Sequence, residues 1–450
     1  MKKILCIYLF TILAILNIST TNQYANSKNP LLKKLNQPIL FSLITAPHIK
    51  SGTEEVLKNA DKIKEGILAI KQPTFENTLQ KLDDLQAEIE VVWSPSYLLG
   101  NVSPKKDIRE AGLAASEKIA NYLNELQLNE ALFDVVTTYA NTAEAKQLTG
   151  YKKKYLTETL LSFERSGFGK SKQIRDQIKT VQEDITKLSL EFNKNISTVK
   201  DFVIFTEADL IGLPEAYKKA RRQVDGSYKI DVTYPSYIPF MTLSESDKAR
   251  KTLFKLFKNR AYPKNDAVLA ALLAKRVELV NLLGYKSYAE YMTEVRMAKK
   301  PKTVWKFEKK LQRKVAKKAQ QDVALMAEMK SKRLGAPSTQ IEAWEADFYE
   351  NIVKKELYDL DSEELKQYFE FNNVTAGLFE IYQTLFGIHF QEVVNPSLWH
   401  KDVLMYEVFD KKSKRLIGQF YLDMFPRDNK YSHAAAFSLV MGKQYKTDYQ

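Results

Sequence analysis

Residues 174–192 read IRDQIKTVQEDITKLSLEF, and this stretch decides the fold class. Its apolar residues recur every three or four positions, the spacing that lines one face of an α-helix. Lys, Asp and Glu fill most positions between them, so the helix would bury a narrow apolar seam against a neighbouring helix. The same spacing returns in residues 56–70 and 304–330. The sequence therefore predicts a mainly α protein.

Two helix starts are predicted from capping patterns. Ser51 and Glu54 form a capping box, in which each side chain bonds a free backbone amide of the first turn. Asp361 and Glu364 have the same spacing. We therefore expect one helix to begin at Ser51 and another directly after Asp361.

The apolar pattern changes to period two near residue 400. Residues 403–409 and 416–422 each read as a strand, and a Lys-rich turn separates them. This arrangement predicts a β-hairpin. A third short strand is predicted over residues 433–440, so a small sheet should follow the helical body.

The first 27 residues read as a secretory signal peptide. Lys2 and Lys3 precede an apolar run at 4–16, and residues 25–27 (Ala-Asn-Ser) place small side chains where a signal peptidase reads. An uncleaved anchor is the alternative, but the run is shorter than the ~20 residues that a bilayer span needs. We therefore expect no membrane span after cleavage. Cys6, the only cysteine, lies in this segment, so the mature chain would have no disulfide and no thiolate ligand.

The net charge of +13 raises the question of an anionic partner. Lys and Arg crowd residues 299–318, and phosphate contacts from such a surface would be salt-sensitive and unspecific. Trp305 and Phe307 are expected to face the core, which leaves no aromatic platform for bases. A solvated helix face explains the charges better, so no nucleic-acid partner is expected.

The four histidines do not form a recognisable catalytic motif. None of His48, His389, His400 and His433 has a second histidine at metal-ligand spacing, and H-E-x-x-H does not occur. The nucleophile elbow G-x-S-x-G and the Gly-rich phosphate loops do not occur either. Pairs of adjacent carboxylates occur at predicted helix starts, where they interact favourably with the positive end of the helix dipole. Helix capping therefore explains them better than acid–base catalysis. The residues alone predict no catalytic centre.

Short motifs occur in a fixed order from about residue 38 to the last residue. They include Pro73-Thr74-Phe75-Glu76-Asn77-Thr78, Gly212-Leu213-Pro214, Pro235-Ser236-Tyr237, Asn259-Arg260-Ala261, Leu282-Leu283-Gly284-Tyr285, Leu385-Phe386-Gly387-Ile388, Trp399-His400, and Gly418-Gln419-Phe420-Tyr421-Leu422-Asp423 with Pro426-Arg427 and Lys430. Together the set resembles the thimet oligopeptidase family of zinc metallopeptidases, which includes neurolysin, oligopeptidase A and peptidyl-dipeptidase Dcp. One departure is Trp344-Glu345 with Phe348-Tyr349, where the family usually has Trp-Asp-x-x-Tyr-Tyr.

The resemblance implies a neurolysin-like zincin scaffold, with helical lobes around a deep cleft and a small β-sheet near the C-terminus. Residues 28–200 would form an N-terminal helical lobe and 201–390 a second helical region. Residues 391–450 would be the truncated start of the catalytic lobe, with its hairpin. The resemblance also implies zinc as cofactor, on an H-E-x-x-H helix. In the family that helix follows the matched motifs, so no catalytic or metal residue is assigned in this chain.

Peptide binding is expected near the end of the chain. In such peptidases an extended substrate adds itself to an exposed strand, and backbone groups supply most of its hydrogen bonds. The resemblance places Tyr431, His433 and Ala434 near that edge. An ordinary strand with an exposed His433 is the alternative.

Three functions stay open at this point. The first is the N-terminal fragment of an exported oligopeptidase that cleaves short peptides, as a metalloendopeptidase or a peptidyl-dipeptidase. It would be monomeric, periplasmic or secreted from a bacterium, and inactive as this chain alone. The second is a peptide-binding scaffold without catalysis. The third, ranked last, is a basic helical nucleic-acid binder.

Overall fold

The computed structural model describes residues 28–32, 37–338, 340–431, 433–445 and 448–449. The predicted signal peptide at 1–27 lies outside them. The described chain is mainly helical, as predicted. Its helices are α1 (Ala46–Leu68), α2 (Leu79–Val102), α3 (Lys106–Gln127), α4 (Glu130–Ala140), α5 (Ala143–Lys146), α6 (Gly150–Arg165), α7 (Lys172–Ser197), α8 (Glu215–Lys219), α9 (Tyr234–Leu243), α10 (Asp247–Lys258), α11 (Lys264–Leu283), α12 (Tyr288–Glu294), α13 (Pro301–Leu334), α14 (Ala346–Tyr358), α15 (Ser362–Leu365) and α16 (Phe371–Phe386), with short 3₁₀ turns at Phe41–Leu43, Glu207–Leu210 and Lys366–Tyr368.

The strands form small antiparallel sheets. A three-stranded sheet near the C-terminus has the order β3 (Ile388–Glu392), β4 (Leu404–Asp410), β5 (Leu416–Leu422). In it, Phe390 lies opposite Val408 and Tyr406 opposite Phe420. Phe379 of α16 covers one face of this sheet, with its ring 4.5 Å from that of Phe390. The strands are β1 (Phe202–Phe205), β2 (Tyr228–Asp231), β3 (Ile388–Glu392), β4 (Leu404–Asp410), β5 (Leu416–Leu422), β6 (Gln444–Tyr445) and β7 (Asp448–Tyr449).

Helices α1 to α6 enclose the largest apolar core. Helices α2 and α3 cross closely at two glycines, Gly100 and Gly112. A Cβ on Gly112 would lie 2.3 Å from the carbonyl oxygen of Ser96 and 2.9 Å from the backbone nitrogen of Gly100. Since real Cβ contacts are never so short, the crossing requires glycine at position 112.

Helix α7, predicted from the opening stretch, joins this core to the second helical region. It packs against α3 on one side and α11 on the other. Ile178 and Val181 are buried against Leu279 and Leu283 of α11. A buried hydrogen bond of 2.8 Å between the side chains of Asn195 and Asn265 adds a polar contact along the same interface. The apolar seam read from the sequence is therefore confirmed, buried at Ile178 and Val181 and half-buried over the rest of its length.

The departure at Trp344-Glu345 is accommodated by a buried ion pair. Glu345 is 5% exposed and accepts hydrogen bonds from Lys330 Nζ at 2.7 Å and from the Glu342 amide at 2.8 Å. Burial alone would raise the pKa of Glu345, but the hydrogen bonds from Lys330 and from the Glu342 amide, with the charge of Lys330, together outweigh burial and lower the pKa. An acidic side chain at this position thus ties the start of α14 to α13.

Several expectations are confirmed. Helix α13 covers the predicted stretch 304–330, and the hairpin of β4 and β5 matches its predicted strands within one residue. In the hairpin turn, Asp410 accepts from the backbone amides of Lys412 and Ser413. Asp361 accepts from the amide of Glu363 as a helix cap, although the helix that follows has only four residues. The domain boundaries at 200 and 390 stay predictions.

Other expectations are wrong. Helix α1 begins at Ala46, not at Ser51, because Thr45 caps it and Pro47 occupies its first turn, where a missing N–H is harmless. Residues 433–440 form no strand. Trp305 and Phe307 do not face the core, since they are 64% and 62% exposed.

The glycine crossing generates a stability prediction. Gly112→Ala forces α2 and α3 apart, and overpacking of this kind should destabilise the fold by about 2 kcal/mol or more. Gly66→Ala is the matched control, because a Cβ there meets nothing within 4 Å and helical Ala is favoured over Gly by about 0.5–1 kcal/mol. Urea unfolding followed by circular dichroism measures both changes. Equal stabilities for the two variants would contradict the crossing.

Candidate substrate-binding segment

The predicted site residues lie in an irregular segment after β5, where two parts of the helical body meet. The amide of Tyr431 donates to the carbonyl oxygen of Asn101, at the end of α2, at 2.8 Å. The His433 ring packs edge-on against Tyr234 of α9, with 5.7 Å between the ring centres. Tyr431, His433 and Ala434 are exposed. The structure thus brings all three to one surface between the N-terminal helices and the second region.

Residues 433–440 are held by side chains rather than by a sheet. Phe437 and Leu439 pack against the N-terminal core, while Ser438 and Val440 are exposed. This alternation is that of an extended chain with one face buried. Within the described residues, the backbone amides of residues 434–440 have no hydrogen-bond partner. They form a solvated strip of backbone.

Asp423 organises the chain that leads to this strip. Its carboxylate receives two hydrogen bonds from Arg427, at 2.6 and 2.9 Å, one from the Trp399 indole at 2.9 Å, and an ion pair from Lys430 at 2.9 Å. Lys430 also donates to the carbonyl oxygens of Asp423 and Phe425. The side chains of Asp423, Arg427 and Lys430 are only 11–13% exposed. We call these four residues, Asp423 with Trp399, Arg427 and Lys430, the Asp423 cluster.

The electrostatics of Asp423 follow from its neighbours. Burial alone would raise the pKa of the carboxyl, but the hydrogen bonds from Arg427, Lys430 and Trp399 outweigh burial and lower it. Asp423 is therefore ionised whenever the folded protein is near neutral pH. The cluster therefore contains two cations, Arg427 and Lys430, paired with a single anion, and the side chains of both cations are largely buried.

Helix α2 is the platform on which the segment rests. Arg427 donates to the carbonyl oxygen of Val102 at 2.9 Å, and Phe437 lies against Tyr97 with 5.9 Å between ring centres. At the far end, Lys443 pairs with Asp84 at 2.6 Å and with Asp83 at 2.9 Å. Burial alone would lower the pKa of Lys443, but these two carboxylates outweigh it and raise the pKa. The segment therefore runs along α2 from its last turn to its first.

An aromatic contact fastens the sheet to the same lobe. The Phe41 ring lies 4.7 Å from Trp399 and 5.5 Å from Tyr421, both edge-on. The outer edge of β5 has no strand partner among the described residues. The sheet therefore presents a second stretch of backbone to which an extended chain could add.

The described residues do not fit a zinc centre. No group of three or more His, Cys, Asp or Glu side chains that could hold a metal ion occurs in the described part of the chain. His48, His389 and His433 each contact a nearby oxygen of the protein, and His400 lies 3.5 Å from Asp402. None of them is assigned as a ligand. Among the helices that the structure describes, none is both long enough and apolar enough to cross a bilayer.

The Asp423 cluster was not predicted from the sequence. Its residues belong to the quoted motifs, but sequence reasoning gave them no role. The feature of the sequence that could have revealed the cluster is its spacing: Arg427 follows Asp423 by four positions and Lys430 follows it by seven. That spacing is typical of ion pairs on a helix face. Here the three residues lie in a loop, and both cations contact the one carboxylate.

The cluster generates a pH prediction. Asp423→Asn leaves two buried cations without their anion and should cost about 3 kcal/mol of stability at pH 7. Because the pKa of Asp423 is lowered on folding, its contribution is present above its unfolded pKa of about 4 and is lost as the pH falls through the folded pKa. The melting temperatures of wild type and variant should therefore converge in acid.

Asp428→Asn is the control for this prediction, since Asp428 is exposed in the same loop. It should change the melting temperature little at any pH. A deficit of Asp423→Asn that stays constant from pH 7 down to pH about 3 would contradict the electrostatic account.

Comparisons with known proteins show similarity to a family of peptidases. Residues 240–450 match the model of Peptidase family M3. The chain is 29% identical over 420 residues to oligopeptidase A of Haemophilus influenzae, with 89% of this chain and 61% of the relative covered. It is 30% identical over 421 residues to saccharolysin of Saccharomyces cerevisiae, with 88% and 58% covered. A thimet-like oligopeptidase of Dictyostelium discoideum is 28% identical over 410 residues, with 87% and 61% covered.

The chain therefore spans about 60% of the length of these curated relatives. The similarity extends over most of this chain, from the helical body into the sheet and the segment that follows it. The family resemblance read from the ordered motifs is confirmed: residues 240–450 match Peptidase family M3, and most of the chain is similar to oligopeptidases of this kind.

Proposed function

We propose that this chain forms the N-terminal helical part of a zinc-dependent oligopeptidase, with short peptides as its ligands. The support is the family, together with relatives that carry the names oligopeptidase A and saccharolysin. Zinc enters the proposal through the family alone, because the described residues supply no ligand set. Whether the peptidase releases dipeptides or cuts internally is left open.

The observation that carries the proposal is the backbone strip at 434–440. Its amides lack hydrogen-bond partners within the described residues, and Phe437 and Leu439 fix it against the N-terminal core. A peptide in extended conformation can pair with such a strip through its own backbone, whatever its side chains are. Exposed Tyr431 and His433 stand at the start of the strip and would contact the ligand first.

A non-catalytic peptide-binding scaffold is the second candidate function. It rests on the same strip, because a peptide can pair with unpaired backbone amides without any catalytic group beside them. Both candidates predict peptide binding. They differ only in whether a bound peptide is also cleaved by a zinc-dependent reaction.

The proposal also includes export and a monomeric state. Export rests on residues 1–27, whose basic start, apolar run and small residues fit a signal peptide. The working compartment would be the periplasm or the outside of a bacterial cell. Nucleic acid is not proposed as a partner.

Activity and binding measurements test what the two candidates share. For this chain alone, we expect no turnover of a short internally quenched peptide, with or without added zinc, because no described residues form a metal site. The same peptide should nevertheless bind, as measured by fluorescence anisotropy. Turnover that a chelator abolishes would contradict the expected inactivity, and a lack of binding would contradict both candidates.

A backbone variant tests the strip itself. Ala435→Pro removes one amide hydrogen and should weaken peptide binding by about three- to tenfold, the worth of one hydrogen bond. Ala435→Ser keeps the amide and is the matched control. Equal affinities for the two variants would show that the peptide binds elsewhere.

Export has its own test. Expressed with residues 1–27, the protein should appear in the periplasmic fraction with Lys28 as its first residue, and a version without them should stay in the cytoplasm. Retention of the full-length chain inside the cell, with residues 1–27 still attached, would contradict the signal-peptide assignment.

A further inference from the structure

Much of helix α13 is bare. Every side chain from 302 to 321 is exposed. Within this stretch, Val304, Phe307, Leu311 and Val315 follow one another at intervals of three or four residues and so lie on one face of the helix. They are 38–62% exposed. We call these four residues the bare face of α13.

The bare face continues an interface that the protein already has. Further along the helix, Met326 and Met329 lie on the same side, eleven and fourteen residues after Val315. There they pack against Phe348 and Tyr349 of α14. Helix α14 therefore covers this side of α13 only near its C-terminal end. The rest of the seam has the same apolar character but no helix on it among the described residues.

The flank of the bare face is cationic. A lysine follows three positions after each of its last three residues, at 310, 314 and 318. Lys318 pairs with Asp322 on the same helix. Lys310 and Lys314 form no ion pair within the described residues. Acidic groups on a partner would therefore find two cations available beside the apolar surface.

We propose that the bare face of α13 docks an amphipathic helix whose apolar stripe is flanked by acidic residues. Continuity with the α13–α14 seam indicates that the occupant is a helix. The free lysines indicate the sign of its charge. A second copy of this chain would bring like charges together along the seam, which opposes self-association. The proposal does not depend on the proposed peptidase function.

A designed peptide serves as the probe. It is a helix of about 20 residues with Leu at heptad positions a and d and Glu at the flanking positions. Its counterpart carries Lys in place of Glu. Anisotropy of a label on the peptide and the emission of nearby Trp305 report binding to the full chain. We expect the acidic peptide to bind at least about tenfold tighter than the basic one at low salt.

Three variants locate the contact. Leu311→Glu should weaken binding of the acidic peptide by about tenfold or more, because a charge replaces an apolar side chain that the bound peptide would cover. The double variant Lys310→Glu with Lys314→Glu should reverse the preference, so that the basic peptide binds better. Lys255→Glu, at an exposed position of α10, is the matched control and should change neither affinity more than about twofold. All four positions are exposed, so the variants should fold as the wild type does.

Other occupants are tested in the same experiment. Equal binding of the two peptides, or no effect of Leu311→Glu, overturns the proposal. So does a dimer in sedimentation that Leu311→Glu dissolves, since the occupant would then be a second copy. Binding to phosphatidylglycerol vesicles that Leu311→Glu abolishes, with neither peptide bound, would assign the face to a lipid surface instead.

Discussion

The carboxylate of Asp423 is the contact on which the candidate site depends. It lies where β5 ends, and it holds Arg427, Lys430 and Trp399 around itself with distances of 2.6–2.9 Å. Between strands and helices, a loop has no backbone ladder to fix its path, so side chains must do so. Without this anion, the two buried cations would have no compensation, and the chain beyond them would have no defined direction.

The cluster acts together with α2, and α2 in turn depends on its glycine crossing. Arg427 links the carboxylate to the carbonyl oxygen of Val102, and Tyr431 bonds the neighbouring residue Asn101. The close approach at Gly100 and Gly112 sets the position of α2 against α3. The glycine crossing thus places α2. The carbonyl oxygens of α2, together with the loop carboxylate of Asp423, then fix the path of the segment. As a result, the unpaired backbone amides of residues 434–440 lie on the surface of the helical body.

The long elements could be predicted because their signals are local. Helix α7 and the hairpin each repeat a simple apolar period over many residues, and packing did not override it. The errors arose where a distant partner decides. Residues 433–440 have the composition of a strand, but their apolar side chains pack against the N-terminal core, and among the described residues no strand lies beside them. Trp305 and Phe307 sit on a helix with a core-like face, yet among the described residues no element covers that face.

The Asp423 cluster shows the same limit at the site. Its charges were visible in the sequence, but their meeting requires a loop that turns back on itself, and no periodicity encodes such a turn. Recognition of a peptide and its cleavage are separate physical tasks. A strip of unpaired amides binds any extended backbone, because every peptide offers the same carbonyl groups. Cleavage needs a metal or an equivalent electrophile at one bond, held by ligands that the described residues do not provide. The proposed enzyme and the proposed scaffold therefore share one binding surface, and only the chemistry placed beside it can distinguish them.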